Sequence, residues 1–201
     1  MFYEPSKRDH GLPHDPFKAI VAPRPIGWIT SMSAKGEINL APYSYFNAVS
    51  ADPPIVLFSS EGRKDSVTFI EEIGEFVCSL ATYDLKDAVN ETSAPMPRGA
   101  NEMIRAGLDA APSRLVRPPR VAASPCALEC KLLQIIELKD LGGRTVDKHL
   151  VFGQVIGVFI EDGAIRDDGL LDIAAIRPIA RCGYHDYAIG DQLFQMTRPK
   201  S

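Results

Sequence analysis

The stretch "NLAPYSYFNAVSADPPIVLFSS", Asn39–Ser60, runs straight into "EGRKDS", residues 61–66, and its reading decides the fold. The first half mixes small polar and aromatic residues and fits neither helical nor strand periodicity. The second half, "PPIVLFSS", is a short β-rich strand that ends in two serines. The next segment, "KDSVTFIEEIG", is the clearest helix in this half of the chain. Asp65 stands where an N-cap is expected, Val67, Phe69, Ile70 and Ile73 supply apolar residues at helical spacing, and Gly74 stops the run. "EFVCSLAT" then returns to strand.

Working outward, "AIVAPRPIGWITSMS" reads as a first strand interrupted by Pro23 and Pro25, which confine that part to an edge or entry. "AKGEI" is a turn in which Gly36 can take a positive φ. Residues 1–19 form an arm with little periodicity. Downstream, "DLKDAVNET" and "ANEMIRAG" are short helices separated by "SAPMPRG", and "APSRLVRPPRVAASP" is an irregular connector. "CALECKLLQIIEL" and "KHLVFGQVIGVFIE" are strands joined through Gly142 and Gly143, with His149 placed just before the second. Gly153 and Gly157 in that strand signal a bend or a close approach by another group. These elements predict one domain over 1–201, mainly β, with an antiparallel barrel of six strands and a few peripheral helices.

Composition narrows the function classes. The 201 residues are 45% hydrophobic and 24% charged, and the formal net charge is −4. Ordinary globular composition with no basic run gives no nucleic-acid surface, and no apolar stretch reaches the ~18 residues of a membrane span. The polar, proline-rich N-terminus is not a signal peptide, so a cytoplasmic location is expected. Cys126 and Cys130 lie in an apolar strand and read as small hydrophobes, and no histidine pair has metal-ligand spacing, so no metal is expected.

The segment "FSSEGRKDS" places a strand end, a turn and a helix start together. Free amides and the positive end of the helix dipole suit an anion. Arg63 and Lys64 add charge, and Ser59, Ser60 and Ser66 add hydroxyls, a combination that suits a phosphate monoester. The plainer reading is a helix capped by Asp65 with a solvated basic pair. Ala41, Pro42, Ser44, Asn47, Ala48 and Val49, with Trp28, Thr30 and Ser31 from "WITS", offer small and polar neighbours to a flat ring. They equally suit a loop folded into its own core.

Taken in order, "RPIGWITSMSAKGEINLAPYSYFNAVSADPPIVLFSS", "RKDS", "AVNETSA", "AGL", "PPRVAASPCALEC", "VFGQVIGVFI" and "ARCGYHDYA" resemble the flavin reductase-like family. The resemblance covers roughly residues 15–190, with Cys182 and one glycine where relatives often carry a leucine and a glycine pair. It implies a split β-barrel of Greek-key type that binds FMN. It further implies Thr30 and Ser31 beside the flavin, and Ser44, Asn47, Ala48 and Val49 along its ring and ribityl chain. Ser59 and Ser60 would meet the ribityl phosphate, and Arg63, Lys64 and Ser66 the phosphate itself. The implied activity is an oxidoreductase that takes hydride from NADH or NADPH. Reduced flavin would serve a small-molecule electron acceptor or a partner monooxygenase. Reduction of activated C=C bonds or quinones, and a flavoredoxin-type electron carrier, are the alternatives. A homodimer is implied, with Tyr184 and His185 near a site and available as proton donors. There is no G-x-G-x-x-G stretch for a separate nicotinamide domain.

Overall fold

The computed structural model describes residues 1–199, so the last two residues of the domain expected over 1–201 lie outside the described residues. The arm ends in a one-turn helix, α1 (Phe17–Ile20), followed by β1 (Arg24–Pro25) and β2 (Gly27–Met32). Next come β3 (Ile38–Tyr43), β4 (Phe46–Ala51), β5 (Pro54–Glu61), α2 (Asp65–Ile73) and β6 (Glu75–Leu80). The middle holds α3 (Lys86–Glu91) and α4 (Glu102–Arg105), then the two-residue strands β7 (Ala110–Ala111) and β8 (Arg120–Val121). The long hairpin β9 (Cys126–Lys139) and β10 (Thr145–Ile160) precedes α5 (Ile173–Ile176), β11 (Ile179–Arg181) and β12 (Tyr187–Ile189).

Seven strands form the main sheet in the order β3-β2-β6-β9-β10-β5-β4, every pair antiparallel. The sequence reading expected six. The additional strand, β4, is an edge strand with only half-buried residues among exposed ones, so it has no apolar alternation to announce it. The sheet's two edges, β3 and β4, are joined by Ser44 and Tyr45, and the Tyr45 carbonyl accepts from the Ser59 amide at 2.8 Å. That bond extends the β4–β5 ladder into the link, and the two-residue link between the edge strands brings one end of the sheet to the other, as in a split barrel. A separate three-stranded sheet, β1-β11-β12, ties the entry segment to the C-terminal region.

The barrel interior is filled from alternate positions of β5 and β10, with Val56, Phe58, Val151 and Val155 facing Ile29, Phe76 and Cys130. Phe58 stacks on Tyr43 at 4.6 Å and meets Phe76 edge-on at 5.9 Å. Gly153 leaves the space for this packing, because a Cβ there would stand 2.2 Å from Phe76 Cζ. α2 closes one end through Val67 and Ile70. Gly74, at φ 74°, terminates it and donates to the Ile70 carbonyl at 2.7 Å. On the outer side of β2 a second cluster gathers Trp28, Leu40, Val89 and Met103 beneath α3 and α4. β2 is therefore buried on both faces.

Two local expectations are corrected. Lys64, not Asp65, is the N-cap residue of α2; Asp65 already has helical geometry, and no side chain caps the amides. The "KDS" pattern misled because an aspartate at the first helical position also suits the helix dipole. His149 lies within β10, opposite Ser60 of β5, rather than before the strand.

Candidate functional site

The start of α2 borders a cleft of about 480 Å³ lined by Asn39, Tyr43, Lys64, Ser66, Arg98 and Glu102, among others. Because β5 ends and α2 begins across the turn at Gly62 (φ 73°), the helix's uncapped first amides face this region. The Ser60 hydroxyl donates to the Gly62 carbonyl at 3.0 Å and holds that turn. Asn39 Nδ2 donates to Ser66 Oγ at 2.8 Å and to Ser31 Oγ at 3.2 Å, so a buried amide fixes both hydroxyls. Tyr43 is buried, and its hydroxyl has no partner in hydrogen-bond geometry although the Ser66 and Ser60 hydroxyls lie alongside. Burial raises its phenol above the ordinary value, with those serines offsetting part of the effect.

Charges of both signs meet in the cleft. Glu102 accepts from the Leu40 amide at 2.9 Å, yet burial still raises its carboxyl above the usual carboxylate range. Arg98 Nε donates to Asp65 Oδ1 at 2.9 Å, and Arg98 Nη2 lies 3.4 Å from Thr68 Oγ1. Arg63 instead pairs with Glu71.

Two further depressions continue from this cleft. Pro42 and Ser93 are shared with one of about 450 Å³ that also takes in Ser44, Tyr184 and His185. Ser44, Tyr45, Lys18 and Arg24 are shared with a groove of about 970 Å³ that reaches Asn47 and Ser59. The β3–β4 link thus runs along the middle of a continuous path. Arg24 anchors its wall, donating through Nη1 to the Lys18 carbonyl at 2.5 Å and through Nη2 to the Cys182 carbonyl at 3.0 Å. Tyr184 takes φ 54° at the tip of the β11–β12 connection, with its ring 5.5 Å from that of His14.

The sequence-selected residues are distributed unevenly over this path. Lys64 and Ser66 line the cleft, Ser44, Asn47 and Ser59 line the groove, and Tyr184 and His185 line the middle depression. Thr30, Ser31 and Ser60 are fully buried behind the wall, and Thr30 Oγ1 has no partner among the described residues. Ala48 and Val49 stand exposed on the edge strand β4, and Arg63 points to Glu71 outside the cleft. Trp28 is buried on the outer side, donating to Thr92 Oγ1 at 2.9 Å. Asn39, Tyr43, Arg98 and Glu102 were not singled out from sequence. Asn39 and Tyr43 fall within the opening motif and two positions to either side of Ala41, the parity that would have paired them.

Other reactive groups lie away from this path. Burial pushes the Cys78 thiol up to about 12 and raises Cys126 and Cys130, which keeps these thiols protonated and unreactive. His149 is buried, with Asp147 and Glu137 carboxylate oxygens each 3.9 Å from a ring nitrogen. A depression of about 770 Å³ on the outer side of β10 contains Glu129, whose carboxylate is committed to the Arg114 and Leu115 amides at 2.9 and 2.6 Å. Among the described residues no group of three or more His, Cys, Asp or Glu is placed to hold a metal, and no helix is long and apolar enough to cross a membrane.

Comparison with known proteins adds to this geometry. Residues 21–175 match the family described as flavin reductase like domain. A protein from Halalkalibacterium halodurans is 35% identical over 185 residues, covering 89% of this chain and 87% of the relative. Nitrilotriacetate monooxygenase component B from Bacillus cereus superposes with a TM-score of 0.88 at 28% identity over 98% of both chains. A split-barrel protein of flavin reductase type from Shewanella frigidimarina shares the fold, with a TM-score of 0.81 at 21% identity over 98% of this chain and 94% of its own.

Proposed function

The chain belongs to the flavin reductase-like family, and from that premise we propose that it is an FMN-dependent oxidoreductase drawing hydride from NADH or NADPH. The observation that supports this best is the start of α2. An uncapped helix N-terminus and Lys64 meet at one cleft, which is also lined by Tyr43, whose buried hydroxyl has no partner in hydrogen-bond geometry. Those groups fit a terminal phosphate monoester: amides and a full positive charge for the anion, and a hydroxyl donor for one oxygen. Bound FMN supplies the two-electron hydride chemistry, and the protein supplies orientation and electrostatics.

In this reading Lys64 and Ser66 hold the phosphate, and Ser31 acts through Asn39 to position Ser66. Ser60 fixes the turn that presents Lys64. Ser59, Ser44 and Asn47 line the route of the ribityl chain and ring along the β3–β4 link, with Ala48 and Val49 at its open edge and Thr30 in its wall. The protein works as a cytoplasmic homodimer of single-domain chains over 1–201. Its reduced flavin serves a small acceptor or a partner monooxygenase, as suits a chain similar to a monooxygenase component B.

A second reading keeps FMN tightly held and reduces a small acceptor such as an activated C=C bond or a quinone. Tyr184 and His185 favour it, because they border the depression that Ser44 enters and could deliver the proton such a reduction needs. The test is the absorbance spectrum of the purified protein before and after anaerobic NADH or NADPH, with fluorescence titrations of FMN, riboflavin and FAD. Bleaching of a bound flavin, and FMN binding well ahead of riboflavin and FAD, are expected. Equal affinity for FMN and riboflavin would remove the phosphate from the cleft. Turnover that requires free FMN separates the first reading from the second.

A further inference from the structure

Resting on the proposal that FMN binds here, we infer that the arginine meeting its phosphate is Arg98, from the segment between α3 and α4, and not the adjacent Arg63. Arg63 immediately precedes the N-cap, which makes it the natural choice on sequence. Its guanidinium, however, is engaged by Glu71 and contributes nothing to the cleft wall. Arg98 is 33 positions beyond Asp65 in sequence yet lines the cleft and holds Asp65 Oδ1 through Nε at 2.9 Å.

Asp65 occupies the first helical position of α2, beside the uncapped amides. Left alone, its carboxylate would repel an incoming phosphate at the spot the amides favour. Pairing with Arg98 neutralises that charge. With Nε on Asp65 and Nη2 in a long contact of 3.4 Å with Thr68 Oγ1, the guanidinium keeps Nη1 and the second hydrogen of Nη2 as donors for a second anion. The Tyr43 hydroxyl is an independent sign that a ligand belongs here. Its residue is 7% exposed, lines the same cleft, and has no partner in hydrogen-bond geometry, with only the Ser66 and Ser60 hydroxyls alongside. Gly99, at φ 80°, reverses the chain directly after Arg98, and a Cβ there would stand 3.2 Å from Glu37 Oε1. The reversal fixes how the segment presents the arginine.

The experiment titrates FMN and riboflavin into wild type, Arg98→Ala, Arg98→Lys and Arg63→Ala, following flavin fluorescence at one ionic strength, with thermal melts of each flavin-free protein. Arg98→Ala should weaken FMN about ten- to a hundred-fold and leave riboflavin unchanged. Arg98→Lys should recover part of the loss, since it restores charge without the fork. Arg63→Ala should change FMN affinity less than about two-fold, as expected of an exposed ion pair. The flavin-free melts should shift by no more than about 4 °C. Equal losses of FMN and riboflavin in Arg98→Ala, or a loss of FMN in Arg63→Ala alone, would overturn the inference. A wild type that binds FMN with an unaffected Arg98→Ala overturns the inference and leaves the flavin reading intact. A wild type that binds neither flavin removes both.

Discussion

Lys64 occupies a position where a cation opposes the helix it precedes. It is the N-cap of α2, its side chain caps nothing, and a positive charge beside the positive end of a helix dipole is unfavourable. A phosphate reverses that balance, because the same charge then neutralises a ligand. Lys64→Ala should therefore weaken FMN about ten- to a hundred-fold, equivalent to ~1.5–3 kcal/mol, with riboflavin unaffected. Lys64→Ser sharpens the contrast. A serine at this site can cap the free amides and raise the stability of the flavin-free protein by about 0.5–2 kcal/mol while FMN affinity falls. Paired titrations and urea melts of the two variants check it. A serine variant no more stable than the alanine one would mean the first amides of α2 are already satisfied.

At the scale of elements, the strands that a one-sided apolar pattern could announce were legible, and those without one were not. β5 alternates inward through Val56, Phe58 and Ser60, and α2 repeats Val67 and Ile70 before a stop glycine, so both could be read directly. β4 could not, because an edge strand whose residues are half-buried or exposed has no apolar face to show. For the site, the local cluster Lys64–Ser66 was legible because its residues are consecutive. Arg98 was not, because only the fold brings it across 33 positions to Asp65. Gly153 was legible as a bend or a close approach; the approaching group is Phe76 of the same chain. That packing is testable. Gly153→Ala puts a Cβ 2.2 Å from Phe76 Cζ and 3.3 Å from Cys130 Cβ, and should cost about 1–3 kcal/mol of stability. Adding Phe76→Leu should recover part of that cost, since the two changes share one space. Strictly additive losses in urea denaturation would show that the glycine is there for another reason.

At the scale of the whole molecule, several apolar side chains on strands stand exposed. Val49 on β4, Leu133 on β9 and Val158 on β10 are 49%, 49% and 62% exposed. In the proposed homodimer a second chain could cover some of them. Light scattering at micromolar concentration should give twice the 22.0 kDa chain mass; a value for one chain would remove the dimer from the proposal. A different consequence follows from Trp28, the single tryptophan of the sequence. Its indole is wholly enclosed, and its Nε1 donates to Thr92, which leads into the Ser93–Gly99 segment that bears Arg98. The protein thus carries one indole fluorophore, selectively excited apart from its six tyrosines, in an apolar setting that gives blue-shifted emission. Flavin absorbs in the region where indole emits, so energy transfer from Trp28 reports occupancy without any label. Loosening of the Thr92 tether would instead shift the emission maximum to the red, so position and intensity of one indole's emission separate the two events.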